Sequence, residues 1–141
     1  MFNKTEKKTI VDAITEAELN TSGEIRIHID KKCKNNPIDK AVKIFEKLGM
    51  HKTEHRNGVL IYIATSNKKL AIIGDEGINR VVTENFWDEI KDEMISHFKD
   101  DNFIVGLSNG IIKAGQQLKK HFPYKSDDIN ELTNEISFGD E

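Results

Sequence analysis

Residues 59–64, Val-Leu-Ile-Tyr-Ile-Ala, admit few structures. Six apolar residues in succession, mostly β-branched or aromatic, suit a strand covered on both faces, because alternation is lost when neither face meets water. The polar segment Thr65-Ser66-Asn67-Lys68 then reads as a turn and Leu70-Ala71-Ile72-Ile73 as an antiparallel return. The return closes on Gly74-Asp75-Glu76-Gly77, an acidic loop between glycines. A strand buried on both faces needs helices on either side of its sheet, and the flanking sequence supplies them.

Residues 3–19 read as the first helix. Asn3 caps it, Glu6 completes a capping box three residues on, and Ile10, Val11, Ile14 and Ala17 form its apolar stripe. In Glu24-Ile25-Arg26-Ile27-His28-Ile29-Asp30 the alternation is strict, so Ile25, Ile27 and Ile29 share a buried face while Glu24, Arg26 and His28 share a wetter one. Asn36-Pro37-Ile38-Asp39 starts a second helix with an Asn cap, Pro at its first position and an acid beside the dipole's positive end. Its stripe Ile38, Ala41, Val42, Phe45 and Leu48 is expected on the sheet, and Gly49 stops it. Strand, helix, strand implies a right-handed parallel crossover. Two more helices follow, one with Phe86, Trp87, Ile90, Met94, Ile95 and Phe98 inward, the other with Phe103, Leu107, Ile111, Ala114 and Leu118. Gly106, Gly110 and Gly115 in the last helix point to close contact there. The expected architecture is an α/β sandwich of three-layer type. Its mixed central sheet has a parallel pair plus the antiparallel hairpin strand, flanked by about four helices.

At 141 residues the chain fits one domain, residues 1–123, with a tail over 124–141. In that tail Asp127, Asp128, Glu131, Glu135, Asp140 and Glu141 stand against Lys125, six minus one, giving −5. Ile129, Leu132, Ile136 and Phe138 interrupt the acids, the pattern of a segment that docks on its own body or on a protein partner. The overall net charge of −3 disfavours a nucleic-acid binder. No secretory leader and no span of ~20 apolar residues is seen, so a cytoplasmic protein is expected. The lone cysteine, Cys33, lies among Lys31, Lys32 and Lys34, which favour a thiolate, and an exposed incidental thiol is the expectation.

Walker A, GxGxxG, HExxH and CxxC motifs are absent. His51 and His55, four apart, follow a helix-ending glycine and read as a solvated linker. Topology sorts the remaining polar residues into two groups. The starts of the parallel strands and the end of the return strand gather Ser22, Glu24, Arg56, Asn57, Asp75 and Glu76 at one sheet edge. The opposite edge gathers Asp30, Asp39 and the turn Thr65-Ser66-Asn67. Open α/β sheets bind ligands outside the carboxyl ends of parallel strands, which favours the second group. Its carboxylates and hydroxyls suit a hard cation, so Asp30 and Asp39 are the candidate ligands of Ca²⁺ or Mg²⁺. Capping and ion pairing, Asp39 at its helix start and Arg56 with Asp75, account for the same residues without a ligand.

The order of these elements resembles the TPM domain family, named after a plant thylakoid protein, a photosystem II repair factor and a nematode receptor regulator. The resemblance lies in TSGEIRIHI (residues 21–29), the spacing of Asp39, Ala41 and Phe45, RNGVLIYIA (56–64), GDEGI (74–78) and FxxGLxxGI (103–111). It spans residues 9–122 and implies an α/β sandwich with a mixed sheet. It also implies a loosely defined role, with acid phosphatase activity, photosystem repair and calcium binding attributed to members. Many bacterial relatives are exported or membrane-anchored. Positions matching an acidic site are Asp39 and Asp75, with Arg56 nearby. Two functions are therefore expected: foremost an accessory or assembly module that binds another protein, and alternatively a weak metal-dependent phosphatase in which a cation and Arg56 neutralise phosphate while a carboxylate activates water.

Overall fold

The computed structural model describes residues 3–123 and 134–139. Helix α1 (Lys4–Glu18) begins as its capping box dictates, with the Asn3 side chain accepting from the Glu6 amide and the Glu6 side chain from that of Asn3. Strand β1 (Glu24–Asp30), helix α2 (Pro37–Lys47) and strand β2 (Gly58–Ala64) follow, with a single 3₁₀ turn at Met50–Lys52. Strand β3 (Lys69–Gly74) returns antiparallel to β2. The acidic loop is the start of a four-residue helix, α3 (Glu76–Asn79), whose amide at Glu76 is capped by Asp75. Helices α4 (Phe86–Lys99) and α5 (Phe103–His121) complete the body.

The sheet has the order β3-β2-β1-β4, with β1 and β2 parallel in the register Glu24–Gly58 to Asp30–Ala64. Every residue of β2 is buried, because the two sheet faces meet two different cores. Ile25, Ile27, Ile29, Val59, Ile61 and Ile63 face a layer built by α1, α4 and α5. Leu60, Tyr62, Ala64 and Ala71 face the smaller layer of α2, with Ala41, Ile44, Phe45 and Met50. The apolar run thus loses its alternation for the expected reason. Close helix packing in the larger layer needs glycine at 115, where a Cβ would stand 2.8 Å from the Ala17 carbonyl oxygen of α1.

Strand β4 (Ser137–Phe138) is an element that the sequence pattern did not delimit. It adds a parallel edge strand to β1, pairing Ser137 with His28 and Phe138 with Ile29, and the Gly139 amide donates to the Ile29 carbonyl at 2.9 Å. Ile136 packs against the larger core, and the Lys7 ammonium lies 5.2 Å from the Phe138 ring centroid. This part of the tail therefore docks on its own body. Lys125, Asp127, Asp128, Ile129, Glu131, Leu132, Asp140 and Glu141 fall outside the described residues.

Three local expectations change. On α2 the contact face is Ala41, Ile44 and Phe45 with half-buried Leu48, while Ile38 and Val42 are 51% and 43% exposed. The face is centred near Ala41 and Leu48, so Ile38 and Val42 fall on one flank and Lys40, Lys43 and Lys47 on the other. The second face of β1 is drier than alternation suggests: Glu24, His28 and Asp30 are buried and only Arg26 is half-buried. Cys33 is buried, not exposed. It packs in the smaller core with its thiol donating to the Asn35 carbonyl, because the Asn67 side chain fastens the Cys33 backbone from both sides.

Candidate functional site

Helix α2 packs over β3 and β2, and this placement leaves the polar face of β1 facing a cavity. The cavity measures about 580 Å³ and lies at the carboxyl end of β1, between α2 and the tail strand. His28 and Asp30 line it on one side, with Ser137, Phe138 and Gly139 from the tail. Lys31, Lys32 and Lys34 enter from the loop after β1, and Lys40, Lys43 and Lys47 from the flank of α2. Ile44 and Leu48 contribute apolar surface.

The buried groups form a continuous chain of hydrogen bonds. The Tyr62 hydroxyl donates to Asp30 Oδ2 at 2.7 Å, and His28 Nε2 lies 2.9 Å from Asp30 Oδ1. His28 Nδ1 lies 2.8 Å from the Ser137 hydroxyl. An ionised Asp30 only accepts, so Nε2 carries the imidazole proton and Nδ1 accepts from Ser137; this tautomer is assigned from the network. Register explains the assembly: His28 sits opposite Tyr62 on one side and Ser137 on the other, and Asp30 is two residues along the same face. The His28 and Tyr62 rings stack with centroids 5.9 Å apart.

Electrostatics keep the histidine neutral. Burial pushes its pKa below the ordinary value, the hydrogen bond and charge of Asp30 oppose this, and Lys40 and Lys47 push it down further. Burial, then the bond to Asp30, pushes the Tyr62 hydroxyl well up, so it stays a donor throughout the working range. The backbone is also committed here. A Cβ at Gly139 would collide with Asp30 Oδ1, so glycine lets the tail pass directly over the carboxylate.

The structure places the expected candidates as follows. Arg56 donates to both oxygens of Asp75, at 2.7 and 2.8 Å, and to Glu76 at 3.2 Å. Asn57 donates to the Ser22 hydroxyl at 3.2 Å, and Glu24 pairs in register with Gly58. Glu24, Arg56, Asn57, Asp75 and Glu76 thus share one edge, where Asp75 caps α3 and the Arg56 carbonyl accepts from the Gly77 amide. At the other edge Asp30 lies in the cavity, while Asp39 is exposed in the first turn of α2. Among the described residues no group of three or more His, Cys, Asp or Glu side chains is placed to hold a metal ion. Both Asp30 oxygens already accept hydrogen bonds, and the surrounding ammonium groups favour an anion over a cation. Ser137, Tyr62 and the α2 lysines escaped the sequence reading as a site, and His28 was read there as part of a wetter strand face. The usable signal was the i, i+3, i+7 spacing of Lys40, Lys43 and Lys47 on a helix beside the lysine-rich loop.

A mixed α/β sandwich with a polar cavity outside the carboxyl end of a parallel strand is the class defined by this fold and site. The TPM domain model matches residues 1–117, and the chain belongs to that family. It is similar to the BA42 protein of the psychrophilic bacterium Bizionia argentinensis, whose solution structure shares 49% identity at a TM-score of 0.90, covering 99% of this chain and 96% of that one. The N-terminal domain of a P. gingivalis protein shares the fold at 17% identity and a TM-score of 0.72, covering 88% of this chain and 82% of that one. The N-terminal domain of the Corynebacterium glutamicum cg2496 protein shares it at 11% identity and a TM-score of 0.68, with coverage of 93% and 82%. A search of curated proteins gives no match. Among the described residues no helix is long and apolar enough to cross a membrane.

Proposed function

We propose that this TPM domain binds a phosphate-bearing small molecule in the cavity beside β1. The observation that carries this reading is the convergence of six lysines on one cavity in a chain whose net charge is −3. Such a concentration opposes the overall charge and concentrates anions locally. Phosphate suits it because ammonium groups can approach its oxygens from several directions.

A Ca²⁺ or Mg²⁺ ion on Asp30 and Asp39 has less support, since the Asp30 oxygens are engaged and the lysines raise the cost of a cation there. The reading as a protein-binding accessory module keeps one observation in its favour, the exposed pair Ile38 and Val42 on the opposite flank of α2.

Titration of the full chain with inorganic phosphate in a calorimeter tests the anion reading. The wild type is expected to bind, with affinity falling as salt is raised. The charge-reversed double variant Lys40→Glu/Lys47→Glu should bind at least about tenfold more weakly, a loss of roughly 1.4 kcal/mol or more. Equal affinity of the two proteins, or no binding by either, contradicts the assignment.

A further inference from the structure

At the base of the lysine cavity the side-chain donors are already spent. The Tyr62 hydroxyl and His28 Nε2 both donate to Asp30, and the Ser137 hydroxyl donates to His28 Nδ1. Gly139 passes over the Asp30 carboxylate, where a Cβ would collide with Oδ1. An anion is therefore held by the walls of the cavity, which carry the lysines, and not by its base. Against Asp30 and a neutral His28 those lysines give six minus one, a charge of +5. One phosphate group brings only about two negative charges at neutral pH, so a single phosphate leaves most of that charge unmatched.

The lysines are also strung out in a line. Lys31, Lys32 and Lys34 stand on the loop between β1 and α2, and Lys40, Lys43 and Lys47 continue down the flank of the helix. At 1.5 Å per residue the three helix positions alone cover about 10 Å. Mutual repulsion keeps their ammonium groups spread over that length. His28 feels the charge of both Lys40 and Lys47, so the line runs past the histidine along the cavity. One tetrahedral phosphate does not reach from one end of this line to the other, whereas a chain of them repeats its charge at every link. The cavity, at about 580 Å³, has room for such a chain. Resting on the phosphate reading above, we infer that the site takes an anion of two or more phosphoryl groups joined by anhydride bonds, a pyrophosphate or linear oligophosphate, lying along the α2 flank with one end on the loop lysines.

The test is a set of calorimetric titrations of the full chain with orthophosphate, pyrophosphate and linear tripolyphosphate, in magnesium-free buffer at one ionic strength. Affinity should rise at each step, with tripolyphosphate binding at least about thirtyfold more tightly than orthophosphate. The loop variant Lys31→Gln/Lys34→Gln should lose at least about tenfold for tripolyphosphate, yet stay within about threefold of the wild type for orthophosphate, which the α2 lysines hold. Lys91→Gln/Lys99→Gln on α4 removes the same charge outside the cavity and should leave all three affinities within about threefold. Equal affinity of the wild type for orthophosphate and tripolyphosphate overturns the inference and leaves the phosphate reading intact. A loss of tripolyphosphate binding as large in the α4 variant as in the loop variant overturns it too, since net charge would then account for the preference. Failure of the wild type to bind any of the three defeats both readings.

Discussion

Single residues in this protein are read best through the partners that their burial demands. Glu18 closes α1, and its carboxylate accepts from the Ile25 amide at 2.7 Å. Burial raises its pKa from 4.5 to about 7; the Ile25 bond opposes the rise and the neighbouring charge of Glu24 adds to it. Between those two values the folded chain keeps a proton that the unfolded chain has released. Stability therefore falls as pH rises from about 4.5 to about 7 and levels off above. Glu18→Gln keeps an oxygen for the Ile25 amide and removes the titration. Its urea-unfolding free energy should exceed the wild type's by roughly 1–3 kcal/mol at pH 8, with the gap closing toward pH 4.5. A variant whose curve runs parallel to the wild type's, or below it at pH 8, contradicts this account. The same reasoning separates Asp75 from Asp30. Asp75 spends its oxygens on Arg56 and a helix cap, whereas Asp30 orients a histidine that faces a cavity.

At the scale of elements, α2 and the tail create the site together. The helix lies over β2 and β3, so its lysine flank overhangs β1 without filling the space above it. The tail strand then walls the open side, sets Ser137 opposite His28 and buries part of Ile136 in the larger core. Truncation after Pro123 removes that strand. It should lower the melting temperature by about 3–8 °C, as expected for losing one partly buried aliphatic residue and a short edge pairing. It should also increase binding of a dye for apolar surface. An unchanged melt would place the tail's contribution outside stability and contradict the docking of residues 134–139. These elements also divide what was legible in the sequence from what was not. Capping box, apolar runs and turn residues are local signals, and they placed α1, β1, β2 and β3 correctly. Strand β4 is two residues long and pairs with a strand more than a hundred residues earlier, so no local period announces it. The flank of α2 that faces the cavity depended on how the helix rolls on the sheet, and Ile38 and Val42 in the expected stripe concealed that roll.

For the molecule as a whole, the fold separates two polar edges with different work. The edge of Arg56, Asp75 and Glu76 is an ion-paired, capped junction. The edge of Asp30 lies at the carboxyl end of the parallel pair, where ligand sites of open sheets sit, and there the lysines collect. The topological argument chose that edge and a hard cation from sequence; the tail strand and the lysine flank of α2, which also line the cavity there, lie on elements whose placement it did not supply. The most direct measurement is an amide NMR titration of the full chain with inorganic phosphate at low salt. Shifts should concentrate in residues 28–34, 40–47 and 137–139 and saturate together, while Arg56 and Asp75 stay still. Saturable shifts centred on Arg56 and Asp75, or no saturable shifts at all, would contradict the assignment of the lysine cavity as the ligand site.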